Sequence, residues 1–119
     1  MPTFSSLIQP HVDAEFFAAE RDERQGDPFA AFGHLERAHV LGQASTLQHV
    51  RAHLRMLAWA WRQRDVRECL GQVFRIVGAA TKTVFGLVPA GNTGGSNVSP
   101  FKPLPVKPDL AAIIARTRA

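Results

Sequence analysis

Signals that start and stop helices recur along this chain at short intervals, and they constrain the fold more than any other feature. Asp27-Pro28 combines an N-cap residue with proline at the first helical position. Gly42 ends that segment, and Ser45 opens the next with the Ser-x-x-Gln form of a capping box. Asp65 begins a further capping box, Asp-x-x-Glu. Because the links between these segments are short, we expect consecutive helices to pack side by side and antiparallel.

The helical segments span most of the chain, and no stretch has the alternating pattern of a β-strand. They run from about 12 to 25, 27 to 41, 45 to 64 and 65 to 88, with a short terminal helix at about 110–116. The sequence therefore predicts an all-α fold of antiparallel helical hairpins with four main helices. A single domain is expected over 1–119, with an irregular Gly/Pro-rich segment at 88–108 packed on the helices.

Apolar residues at helical spacing predict which sides of the third and fourth helices are buried. Trp59, two residues from Trp61, should point to a second interface, with another helix or another chain. The predicted core stripe of the third helix is Leu47, Val50, Leu54, Leu57, Ala58 and Trp61. That of the fourth is Val66, Leu70, Val73, Val77, Val84 and Val88, flanked by Phe74 and Phe85.

Composition narrows the class of protein. Apolar residues make up 45% and charged residues 20%, as in ordinary soluble domains. The most apolar stretch, 66–88, is interrupted by charged residues, which favours a buried helix over a membrane span. The first ten residues lack the features of a signal peptide, and a lone cysteine, Cys69, fits a reducing compartment. These observations predict a cytoplasmic protein that does not span a membrane.

The positive charge of the chain raises the question of nucleic-acid binding. The net charge is +4 and the isoelectric point is near 10.2. The basic residues are spread over several segments, and the nearest approach to a stripe is Arg51, Arg55 and Arg62 on one helix. A solvated helix face explains that stripe better than a phosphate-binding face, so nucleic-acid binding is disfavoured.

Four residues form the best candidate site: Glu36, His39, His49 and His53. Each pair has the spacing of residues on one side of a helix. If the chain turns back near Gly42–Ser45, the two pairs face each other at matching heights. Carboxylate and imidazole ligands suit a divalent transition metal such as Zn, Ni or Cu. The sequence thus predicts a metal site between the second and third helices, with a role in metal handling or sensing.

Other interpretations stay open at this stage. His39 and His49 could be helix-flanking polar residues satisfied by their neighbours, with Glu36 and His39 as a surface pair. The helices would then form a tetratricopeptide-like protein-interaction or homodimerisation module without metal. A third possibility is a metal-dependent enzyme with Glu36 as general base and one ligand fewer. No nucleophile motif supports catalysis. The Gly91–Pro100 loop is either an anion-binding turn or, more simply, a structured turn that lets the Pro-rich tail fold back over the helices.

Two resemblances extend this interpretation. Residues 15–43 resemble one tetratricopeptide unit, with Gly26 between the helices and then Ala31, Leu35, Ala38 and Leu41. Asp22 and Gln43 depart from that repeat's usual aromatic and proline. The segments His34–His39 and Gly91–Gly95, with Trp61-x-x-Arg64-Asp65, resemble an uncharacterised family of small bacterial proteins. That resemblance implies a cytoplasmic bacterial protein and supplies no catalytic residues.

Overall fold

The computed structural model of this chain describes residues 2–85 and 105–118. Within those ranges the chain forms helices and no strand, so the all-α prediction is confirmed. The predicted Gly91–Pro100 loop and most of the 88–108 segment lie outside the described residues. The helices are α1 (Phe4–Arg24), α2 (Pro28–Gly42), α3 (Thr46–Arg62), α4 (Val66–Phe85) and α5 (Pro108–Arg118).

The predicted capping residues begin their helices through hydrogen bonds to backbone N–H groups. The Asp27 side chain accepts from the N–H of Ala30, and Ser45 Oγ accepts from that of Gln48. Asp65 starts α4 in the same way. The α1 boundary was predicted wrongly, because α1 begins at Phe4 behind an N-cap threonine and continues through Pro10.

From α1 to α4, each helix packs against the next one in the chain, and the buried apolar side chains form one core. α1 and α2 form an antiparallel hairpin, α3 packs on both, and α5 lies against α1 and α2. Among the described helices, α4 packs on α3 alone. None of the described helices combines the length and apolarity that a membrane crossing requires. The fully buried apolar side chains include Ile8, Val12, Ala31, Ala38, Leu41, Ala52, Met56 and Ala60.

The predicted core stripes of α3 and α4 are wrong. Trp61 is 78% exposed, whereas Trp59 is buried and donates its indole N–H to the carbonyl oxygen of Pro28. α3 instead buries a side of small and polar residues, where Ala52 and Ala60 allow neighbouring helices to approach closely. Most of the predicted stripe is exposed, namely Leu47, Leu54, Ala58, Trp61, Val66, Leu70, Val73, Phe74 and Val77. Val50 and Leu57 are half-buried, and the side chains at 84, 85 and 88 lie outside the described part of the chain.

Candidate metal centre

The link between α2 and α3 brings the predicted ligands together. Gly42 lies so close to Gln48 that a Cβ atom on Gly42 would stand 2.7 Å from the Gln48 Cβ. Glycine is therefore required where the two helices meet. This contact sets the last turn of α2, with His39, against the first turns of α3, with His49 and His53.

Three of the four predicted ligands converge through the same ring nitrogen. His39 Nε2 lies 2.8 Å from His49 Nε2, and His53 Nε2 lies 3.0 Å from the same atom. One ligand atom from each ring falls within 4.8 Å of the others. All three side chains are buried, with at most 2% of their surface exposed. This cluster, His39, His49 and His53, could hold a metal ion and is called the histidine triad below.

A polar chain from α4 orients one member of the triad. The Gln72 side-chain nitrogen donates to Glu68 Oε2 at 2.6 Å, because a carboxylate only accepts. The Gln72 carbonyl oxygen therefore faces His53 and accepts from its Nδ1 at 2.6 Å. A proton on Nδ1 leaves Nε2 of His53 with a lone pair directed into the triad. Metal-binding histidines are commonly held in this way, with the second nitrogen donating to an acceptor.

The short contacts within the triad are compatible with a bound cation. If His53 is neutral with its proton on Nδ1, its Nε2 carries no proton, so His49 Nε2 must donate to it and then has no lone pair left for His39. Neutral rings can therefore make a linear hydrogen bond at only one of the two short contacts. A cation accepting the three lone pairs removes this conflict. Histidine nitrogens that bind zinc at about 2.0–2.1 Å would stand roughly 3.3 Å apart, slightly more than the 2.8 Å and 3.0 Å of the two contacts.

Glu36 is not in the group of converging ligand atoms. It is half-buried on α2, three residues before His39. Its predicted role as a fourth ligand stays a prediction. The half-buried Cys69 packs beside the apolar core, and buried Met56 belongs to that core.

Sequence reasoning missed the residues that support the triad. Glu68 was noted only as part of a capping box, and Gln72 was not noted at all. With Arg75 they form a buried polar row on α4 at spacings of four and three. Burial lowers the pKa of the Arg75 guanidinium, and the nearby Glu68 carboxylate opposes that shift. A polar row at helical spacing inside an apolar segment was the signal available.

The remaining candidate residues have structural partners. His34 Nδ1 lies 2.7 Å from a carboxylate oxygen of Glu15, and its Nε2 lies 3.3 Å from one of Asp22. The arginines of the α3 stripe all pair with carboxylates of α1. Arg51 pairs with Asp13, Arg55 with Glu20 and Arg62 with Glu23.

Fold and site together define a class of protein: a small all-α protein with three buried histidines between antiparallel helices. Comparison with known families then gives a more particular assignment. The model of a family described as protein of unknown function (DUF3703) matches residues 6–114, and the chain belongs to that family. No curated protein matches the chain, and no solved structure does.

Proposed function

We propose that this protein binds one divalent transition metal ion through His39, His49 and His53 and serves in metal handling or sensing. The convergence of three Nε2 atoms on one point is the observation that carries this proposal. Imidazole ligands without a thiolate suit Zn, Ni or Cu(II), and the chain does not discriminate among these by ligand type alone.

The surroundings of the triad support a bound dication. A doubly charged ion buried among neutral rings needs compensating negative charge nearby. Glu68 provides part of it through Gln72, at the far end of the polar chain described above, and shares its negative charge with the neighbouring Arg75. Glu36, one turn before His39 on α2, is our candidate for a fourth ligand or for a carboxylate that guides the ion in. The near-complete burial of the triad favours holding an ion over turning over a substrate.

Titration calorimetry on metal-stripped protein tests the proposal. We expect uptake of one Zn, Ni or Cu(II) ion per chain at micromolar concentration or below. His39→Ala and His49→Ala should each weaken binding by about 100-fold or more, since each removes one of three ligands. No uptake of any of these metals would overturn the proposal.

His11→Ala is the matched control, because His11 is half-buried on α1 and outside the triad. It should keep wild-type affinity. If His11→Ala and His39→Ala weaken binding equally, the triad is not the site. Thermal unfolding with and without metal covers the case of a destabilised variant. A saturating metal should raise the melting temperature of the wild type and of His11→Ala, but not that of His39→Ala.

Two further variants separate the supporting residues from the ligands. Gln72→Leu removes the acceptor for His53 Nδ1 and should cost about 10–100-fold in affinity, as losses in the layer around metal ligands typically do. Glu36→Gln keeps the shape and removes the charge. A loss as large as that of His39→Ala would identify Glu36 as a ligand, and an unchanged affinity would show that three histidines suffice.

A second function, protein interaction, is favoured by the exposed apolar residues of α3 and α4. It does not compete with metal binding, because those residues lie outside the triad.

A further inference from the structure

The described chain leaves a large apolar surface on α3 and α4 in contact with solvent. Eight large apolar side chains on these two helices are at least half exposed. Soluble monomers rarely expose a contiguous apolar patch of that size. We call it the α3–α4 outer face, and it consists of Leu47, Leu54, Trp61, Val66, Leu70, Val73, Phe74 and Val77.

The residues of the outer face follow the spacing of coiled-coil seams. On α3 the apolar positions 47, 50, 54, 57 and 61 alternate steps of three and four. On α4 the positions 66, 70, 73, 77 and 80 do the same. A strict three–four alternation is the pattern of a narrow seam that packs against another helix, as in coiled coils and four-helix bundles. Neither seam points into the core of its own chain.

α4 buries polar residues and exposes apolar ones, which is the reverse of an ordinary surface helix. Its inner side, against α3, carries the buried polar residues Glu68, Gln72 and Arg75. Its outer side, from Leu70 to Ala80, has no charged residue among its exposed positions. A helix that faced only water would show the opposite arrangement.

The two seams adjoin each other. Cys69, on one flank of α4, packs against the core. Phe74 is on the opposite flank, which by helical geometry is turned toward the exposed row of α3. Phe74 thus extends the α4 seam on the side nearer to α3.

The exposed apolar area of the α3–α4 outer face is as large as that of a stable interface. The aromatic Trp61 and Phe74 would each bury about 150–250 Å² in full and the six leucine and valine side chains less, so at the observed exposures the eight contribute on the order of 100 Å² each. Together they offer roughly 800–1,000 Å² per chain, and a standard interface buries about 800 Å² per partner. A bilayer surface fits less well, because membrane-surface helices place several basic residues beside the apolar side, whereas Arg67 is the one exposed basic residue among the α4 side chains that the structure describes, 66–80.

We propose that the α3–α4 outer face pairs with the same face of a second copy of this chain, giving a two-fold dimer in which the seams pack together. Helices with seam spacing need partner helices of similar spacing, and a second copy provides them. The surface is uncharged over most of α4, so two copies can approach without repulsion between like charges. This inference goes beyond metal binding and does not depend on it.

Light scattering and analytical ultracentrifugation on the full chain test the dimer. We expect the wild type at micromolar concentration to have twice the chain mass of 13.1 kDa. Leu70→Glu places a carboxylate in the seam. Because each copy contributes one, the dimer interface would contain two. The dissociation constant should rise by about 100-fold, leaving a monomer with the helical circular dichroism of the wild type. Leu54→Glu should act in the same direction through α3.

Phe17→Glu is the matched control, because Phe17 is 68% exposed, like Leu70 at 67%, but lies on α1. It should leave the dimer intact. A monomeric wild type over the whole concentration range would overturn the proposal, as would equal effects of Leu70→Glu and Phe17→Glu. Co-sedimentation of a monomeric wild type with phosphatidylglycerol vesicles would show that the face binds lipid instead. Metal affinity measured on Leu70→Glu should be unchanged, so failure of the dimer and failure of the metal site remain distinguishable.

Discussion

The two hairpins of this protein divide their apolar and polar residues in opposite ways. The α1–α2 hairpin buries aliphatic side chains such as Ile8 and Leu41 and keeps its carboxylates in ion pairs near the surface, although Phe17 and Phe29 are exposed. The α3–α4 hairpin buries histidine, glutamine and glutamate at its centre and exposes leucine, valine and tryptophan. The first hairpin therefore behaves mainly as a scaffold, to which α2 adds His39. In the second, the buried polar groups belong to the candidate metal centre and the exposed apolar groups to the proposed interface.

The largest expected contrast comes from one substitution made in both hairpins. Leu41 is 1% exposed and Leu70 is 67% exposed. Leu41→Ala should lower the free energy of unfolding by about 2–5 kcal/mol, because it leaves a cavity in the core. Leu70→Ala should change it by less than about 0.5 kcal/mol in dilute protein, since a monomer gains little from an exposed side chain. Urea denaturation of both variants checks this.

The difference between the two leucine variants can also be tested by raising the protein concentration. If the outer face is a dimer interface, Leu70→Ala should become more destabilising as concentration rises, whereas the cost of Leu41→Ala should not increase in this way. A large, concentration-independent loss for Leu70→Ala would instead show that this residue is buried within one chain.

A second test addresses the contact between the scaffold and the site. Gly42→Ala would place a Cβ atom 2.7 Å from the Gln48 Cβ, so α2 and α3 must separate. We expect a loss of about 1–3 kcal/mol in unfolding free energy, as for an overpacked core. Because the same contact sets His39 against His49, metal affinity should fall as well.

Gly33→Ala is the control for that test, because nothing lies within 4 Å of a Cβ built on Gly33. It lies inside α2 and should gain about 0.5–1 kcal/mol from the higher helix propensity of alanine. If both glycine variants were equally stable and bound metal equally, the close approach at Gly42 would not control the site.

The comparison of hairpins also shows how far the sequence could predict this protein. Capping residues located α2 and α3 well because Asp27 and Ser45 act on their own backbone neighbours. The prediction that His39 faces His49 followed from the same capping signals and from the short turn between α2 and α3. Burial in α3 and α4 depends on other elements, and the apolar side of a helix does not show by itself whether it meets the core of its own chain. The predicted burial of Trp61 failed for that reason, and Gln72 was missed because its partner His53 lies on another helix.

The turns of the two hairpins provide a third, smaller test. The same backbone hydrogen bond, from the residue after the turn to a carbonyl five residues earlier, closes α1 at Gly26 and α3 at Arg64. Both residues have positive φ, 85° for Gly26 and 57° for Arg64. Arg64→Gly removes the strain of a side chain in that region and should gain roughly 0.5–1 kcal/mol in unfolding free energy. A loss of stability in Arg64→Gly would mean that the arginine side chain contributes more than its backbone costs.

The smallest expected effect concerns α5, which is fastened to the first hairpin by a surface ion pair. The hydrogen bond from Arg37 lowers the pKa of Asp109 below its ordinary value of 3.8. A depressed carboxyl pKa stabilises the folded state above the unfolded value, and this contribution is lost as the pH falls through the folded value. Stability should therefore decline below about pH 4 more steeply in the wild type than in Asp109→Asn, which lacks the contribution at every pH. If the stability of the two proteins instead falls equally steeply with pH, then Leu110, which is buried beside the ion pair, holds α5 without help from the charge of Asp109.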